Sequence, residues 1–147
     1  MVKLHVPATI LADSLAILKA SPDAERVILW LGHQTAAFEV REIFMPLQIT
    51  RRRQFTVTPD GMRELYEKIK ASRLQVVAQL HTHPQQAFHS QADDDWAIVR
   101  HLNAYSIVLP DFCQDIDIGS FHQNAATFVL TIENEWVQVS NQNIVIQ

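Results

Sequence analysis

Gln75-Val76-Val77-Ala78-Gln79-Leu80-His81-Thr82-His83-Pro84 is an apolar run that ends in two histidines and a proline, and Ser90-Gln91-Ala92-Asp93 follows after five further residues. The run predicts a strand over 75–80. Period-two alternation then puts His81 and His83 on one face, roughly 6.6 Å apart along the backbone. Pro84 cannot continue a ladder, so the chain leaves the sheet directly after the second histidine and turns across it. Ser90 to Asp93 opens a helix and sets Asp93 in its first turn, near the strand end. Two histidines and one carboxylate, with a fourth position left open, form a common catalytic zinc pattern. A His-x-His pair alone is frequent on strands, and Ser-x-x-Asp alone reads equally well as a capping box. The ordered combination favours a metal site.

Upstream, Val27 to Leu31 is a continuously apolar run ending at Gly32, the pattern of a strand covered on both faces. Ala37 to Phe44 predicts a second strand. Ile10, Leu11, Leu15, Ile17 and Leu18 recur at helical spacing, giving a first amphipathic helix over about 8–20 that Ser21-Pro22 stops. Thr58 with Pro59 starts a helix to Ala71. Met45 to Phe55, with Arg51, Arg52 and Arg53, reads as a connection or the rim of a third strand. Downstream, Trp96, Val99 and Leu102 give a third helical stripe, and Tyr105 to Leu109 another strand. Thr127 to Ile132 and Glu135 to Val139 flank Glu133-Asn134 like a hairpin, with Ile144 to Ile146 as an edge. The expectation is an α/β chain forming a single domain over 1–147, without repeats or linkers.

The 147 residues can bury a core able to hold a rigid site. Twelve basic and sixteen acidic residues give a net charge of −4, so no overall basic field supports a nucleic-acid role. Pro7 and Asp13 interrupt the early apolar run, arguing against a signal peptide or a membrane partner and leaving the cytoplasm as the expected location. Cys113 is the single cysteine, so any metal must be held by histidine and carboxylate. A thiol-protease role for Cys113 finds no helix start or base partner. His89 reads as a solvated loop residue sooner than as a substrate contact or spare ligand, and the arginine triplet as a solvated edge sooner than as a binding patch.

This pattern resembles the JAMM (JAB/MPN, Mov34-type) metallopeptidases, whose signature is an upstream glutamate, then His-x-His-Pro and Ser-x-x-Asp. The resemblance covers nearly the whole chain, with Glu25 standing where the family places its glutamate. It implies a three-layer α/β/α sandwich of cytidine-deaminase-like type with a mixed central sheet, and one zinc ion on His81, His83 and Asp93. It also implies that Glu25 handles the proton of the nucleophilic water and that Ser90 steadies the tetrahedral oxyanion. Two departures stand out. Six residues, Pro84 to His89, separate His83 from Ser90 where the family usually has seven, and Ile28 stands three after Glu25 where glycine is common.

The activity so implied is a zinc-dependent isopeptidase or processing peptidase, cutting after the tail of a ubiquitin-like protein, in the setting of an E1/E2-like conjugation system. Two alternatives share the sequence: release of an amino acid from a sulfur-carrier protein, and a non-catalytic scaffold or nucleic-acid-associated module.

Overall fold

A computed structural model gives the architecture and describes residues 1–95 and 97–147. In chain order the elements are β1 (Leu4–Val6), α1 (Ala8–Lys19), β2 (Val27–Gln34), β3 (Phe38–Phe44), β4 (Gln48–Arg51), β5 (Gln54–Val57), α2 (Pro59–Ser72) and β6 (Gln75–Thr82). There follow α3 (Gln91–Asp95), β7 (Tyr105–Leu109), α4 (Phe121–Asn124), β8 (Ala126–Leu130), β9 (Trp136–Val139) and β10 (Ile144–Ile146). The chain is thus α/β, with a large mixed sheet ordered β10-β1-β3-β2-β6-β7-β8-β9. β1 runs parallel to β3 and β10, and β6 parallel to β7; the other neighbours are antiparallel.

Alternation along β2 sorts the core. Ile28 and Trp30 join Leu11, Leu15 and Leu18 of α1 on one face, whereas Val27, Leu29 and Leu31 join Leu65 of α2 on the other. Burial of these side chains, each worth about 1.5–3 kcal/mol, fixes both helices against the sheet. Within α1, Ser14 donates back to Ile10 O at 2.7 Å and accepts from Trp30 Nε1 at 2.8 Å, which satisfies the buried indole. The start signal of α2 forms as its residues predict: Thr58 Oγ1 accepts from Gly61 N–H at 3.0 Å, and Pro59 takes the first helical position.

Three elements differ from their sequence-based expectations. β2 runs past Gly32 to Gln34, because a Cβ there would lie 2.0 Å from Glu39 O, and only glycine admits so close a neighbour strand. β1 was not expected; three residues become a strand through register with Phe38 and Ile144. The stripe of Val99 and Leu102 is not helical. α3 ends at Asp95, Val99 is buried and Leu102 half exposed. The amides of Ile98 and Val99 are spent on Gln79 Oε1, at 2.9 and 3.4 Å, instead of on a helical ladder, and Asn103 turns the chain with φ 68°. Trp96, the third member of that stripe, lies outside the described residues.

The segment 45–57 folds as a separate hairpin, with Arg52 and Arg53 at its turn. Gln48 clamps it to the sheet, its side chain accepting from Val27 N–H and donating to Val27 O, both at 2.9 Å. At its base, Gly61 of α2 lies so close that a Cβ would sit 2.3 Å from Leu47 O.

Candidate metal centre

Register puts the chemistry on the α2 face. His81 pairs with Val27, and Gln79 with Leu29, so both histidines of the strand end share the face of the Val27 cluster. His83 continues the ladder by donating its backbone N–H to Leu109 O at 2.9 Å. Its carbonyl then accepts from Phe112 N–H at 2.8 Å, across a turn in which Asp111, Phe112 and Cys113 all have positive φ (53°, 52° and 65°). Three consecutive left-handed non-glycine residues carry strain of order 1–3 kcal/mol each. They hold the chain where it leaves β6.

His81 Nε2 and His83 Nε2 lie 3.2 Å apart, His81 Nε2 is 3.2 Å from Asp93 Oδ1, and His83 Nε2 is 3.2 Å from Asp93 Oδ2. A tetrahedral ion with bonds of about 2.0–2.1 Å separates its ligand atoms by roughly 3.3 Å. The two imidazole nitrogens have that spacing, each faces a different oxygen of the Asp93 carboxylate, and one ligand atom from each residue lies within 4.8 Å of the others, so these three residues could hold a metal. His81 is completely buried, and its Nδ1 has no hydrogen-bond partner among the described residues. Packing orients its ring instead, with Phe55 at 5.4 Å between centroids. Phe88 stands edge-on to His83 at 4.7 Å.

The Ser-x-x-Asp segment forms the cap its sequence allowed. Asp93 N–H donates to Ser90 Oγ at 3.1 Å and Ser90 N–H to Asp93 Oδ2 at 2.9 Å, a reciprocal cap. The same carboxylate faces both imidazoles. Burial opposes its charge, but hydrogen bonds from His81 and His83 outweigh burial and hold the Asp93 carboxyl well below the usual range. His83 is likewise penalised by burial, yet the Asp93 hydrogen bond and the charges of Asp93 and Glu25 raise its pKa.

Glu25 is buried at the mouth of β2. Its N–H donates to Arg51 O at 2.8 Å, and the next residue is tied to β6 by Thr82, whose Oγ1 accepts from Arg26 N–H at 3.1 Å. Burial pushes the Glu25 carboxyl up to about 7, with His83 opposing and Asp93 adding to the shift. Of the other acids near in sequence, Glu39 lies 3.3 Å from His5 Nδ1, Glu42 lies 3.1 Å from Lys68 Nζ, and Asp23 is exposed.

Glu25, His83, Ser90 and Asp93 line one cleft of about 810 Å³, whose walls include Phe55, Val57, Met62 and Phe88. Of the arginine triplet, Arg53 lines this cleft and Arg52 stacks over the Phe112 ring at 5.4 Å. His89 is not a solvated loop residue: its side chain is 3% exposed and hydrogen-bonds Asp94 and Ser106. Its partner Ser106 comes from β7, so no local sequence signal announces the contact. Cys113 is buried, and burial pushes its thiol up to about 11, the reverse of what a nucleophile requires.

No protein-family model matches the chain. It is 31% identical over 101 residues to y4jG of Sinorhizobium fredii, named a probable metalloprotease; the match covers 62% of this chain and 59% of that protein. In fold it is similar to the solution structure of protein DSY2949 from Desulfitobacterium hafniense, with a TM-score of 0.69 and 13% identity over 98% of this chain and 92% of that one. None of the helices among the described residues is long and apolar enough to cross a membrane.

Proposed function

We propose that the chain is a single-domain zinc metallopeptidase of the JAMM type, which cleaves after the extended tail of a ubiquitin-like protein. The observation that carries this reading is the convergence of His81, His83 and Asp93, with ligand atoms within 4.8 Å of one another, beside Glu25 and Ser90, which line the cleft with His83 and Asp93. Likeness to a protein named a probable metalloprotease supports hydrolysis. Helices on opposite faces of a mixed sheet, α1 on one and α2 on the other, support the three-layer arrangement.

His81, His83 and Asp93 would hold the ion. Zinc bound there supplies a Lewis acid that polarises a carbonyl and makes water acidic near neutral pH. The remaining roles belong to the chain. Glu25, whose carboxyl changes charge near 7, accepts the proton of the attacking water on its carboxylate and returns it to the leaving amine. Ser90 Oγ accepts from Asp93 N–H, which leaves its own O–H to donate to the oxyanion as the carbonyl becomes tetrahedral. Phe55 and Phe88 shield the imidazoles from water.

The hairpin supports a tail-shaped substrate. Residues Gln54 to Val57 line the cleft, and β5 has β4 as its one strand neighbour among the described residues, so an extended peptide can pair with its other edge. Arg53 at the cleft adds charge that steers an acidic partner. The test is a panel of ubiquitin-like proteins with C-terminal extensions, each incubated with the metal-loaded chain with and without chelator. Chelator-sensitive cleavage after one tail is expected, with about one zinc per chain and none in His81→Ala. Release of a single amino acid would move the substrate to a sulfur carrier, and zinc binding without any cleavage would leave a scaffold.

A further inference from the structure

α3 carries Asp93 but has little of its own to hold it. It is five residues long and buries none of them, so neither helix propensity nor packing sets its place. Besides the Ser90–Asp93 cap and Arg100, which donates to Asp94 O at 2.6 Å, a chain of hydrogen bonds with a buried middle link ties it to the sheet. Gln79 Oε1 accepts from Ile98 N–H at 2.9 Å, beyond the far end of α3. Gln79 Nε2 donates to Ser106 Oγ at 3.1 Å, and Ser106 Oγ lies 3.0 Å from His89 Nε2. His89 Nδ1 in turn meets Asp94 Oδ1, next to Asp93.

Donor and acceptor capacities close along this path with a neutral His89. Nδ1–H of His89 donates to the Asp94 carboxylate, the Ser106 hydroxyl donates to the bare Nε2, and the same hydroxyl accepts from Gln79. Burial lowers the His89 pKa, against the Asp94 hydrogen bond, which raises it. Phe128 and Trp136, at 4.9 and 5.2 Å between ring centroids, sandwich the imidazole. The order Asp94, His89, Ser106 follows that of a hydrolytic triad, but Ser106 is completely buried and open to no substrate. The path ties both ends of the α3 segment to β6 and β7, the strands that carry and flank the two histidines.

We propose that His89 is a positioning residue: with Ser106 and Gln79 it pins α3 to the sheet through Asp94 and so holds the Asp93 carboxylate against His81 and His83. This inference rests on the reading of those three residues as metal ligands. It predicts that metal affinity depends on a side chain that touches neither metal nor substrate.

The test titrates the metal-stripped full chain with Co²⁺ alone, reading affinity and the visible d–d bands that report ligand geometry. His89→Phe keeps the aromatic stack and removes both hydrogen bonds. Asp94→Ala, at a side chain 43% exposed, cuts the same path where folding is little at risk. Both are expected to bind Co²⁺ about 10-fold or more weakly, the usual cost of losing a partner behind a ligand, with bands of lower intensity. Ser14→Ala breaks the buried bond to Trp30 on the opposite face, and is expected to lower stability while leaving affinity and spectrum unchanged. Wild-type affinity and spectrum in both His89→Phe and Asp94→Ala, alongside loss of binding in His81→Ala, would overturn the positioning role alone. No Co²⁺ binding by the unaltered chain, or undiminished binding in His81→Ala, would overturn the ligand reading and the proposal with it.

Discussion

Glu25 and Cys113 are both buried groups whose acidity burial lowers, and the two face opposite fates. Glu25 opens on the cleft beside His83 and Asp93, where a carboxyl near 7 can take up and release a proton at working pH. Glu25→Gln is expected to keep the metal and to lower kcat on the order of 10²- to 10⁴-fold, whereas Glu39→Gln and Glu42→Gln, whose partners lie on the surface, leave turnover unchanged. Zinc content and single-turnover cleavage of the three variants check this, and normal cleavage by a folded, loaded Glu25→Gln protein would remove the role. Cys113 has no such opening. At pH 8 the native thiol should be inert to a thiol reagent that modifies one group per chain in denaturant. The sign of its pH effect follows from the raised value: the folded chain keeps this proton up to about 11 and the unfolded chain to about 9. Its contribution to stability is present below 9 and is lost as pH rises through 11. Urea midpoints of the wild type and Cys113→Ala between pH 8 and 11 should therefore converge or cross, and parallel curves would refute the shift.

The hairpin of β4 and β5 reaches the cleft because α2 lets it approach. A Cβ at Gly61 would lie 2.3 Å from Leu47 O and 3.1 Å from Leu47 N, both unyielding backbone atoms. Gly61→Ala should push the base of the hairpin away from α2, cost about 1–3 kcal/mol in stability and raise KM for a tail substrate, with metal affinity unchanged. An unaltered KM would detach the hairpin from substrate binding. How elements became legible in the sequence follows the same division between local and distant causes. α1, α2, β2, β6 and β7 were readable because their periodicities and caps lie within a few residues of each other. The three candidate ligands were readable because Asp93 lies only twelve residues after His81 and one strand end gathers them. The apolar stripe extends α3 too far because the amides a longer helix needs are captured by Gln79, 19 residues away in sequence from Ile98. The His89 path is hidden for the same reason, since beyond Asp94 it runs through Ser106 of β7 and Gln79 of β6. Glu25 is legible chiefly through the family resemblance and its place at the mouth of β2, because spacing alone also admits Asp23, Glu39 and Glu42.

Across the whole molecule, the sheet places its early and late residues side by side. β1 lies between β3 and β10, with Leu4 opposite both Phe38 and Ile144. Ala8 N–H donates to Gln147 O at 2.7 Å and Gln147 N–H to Val6 O at 2.9 Å. The site sits well away from this border, among strands β2, β6 and β7, where neighbours on both sides brace it. Closing a loop that joins residue 4 to residue 144 costs more chain entropy than any interior pairing, and only three residue pairs repay it. The seam between β1 and β10 should thus be the last part of the sheet to form and the first to open. Ile144→Ala is expected to speed unfolding with little change in the refolding rate, while the amides of Ala8 and Gln147 exchange with solvent hydrogen well before those of Leu29 and Ile107. Slowed refolding would place the seam in the folding nucleus instead. A border that opens on its own while the interior stays closed lets the chain breathe at its edge without losing the alignment of its histidines.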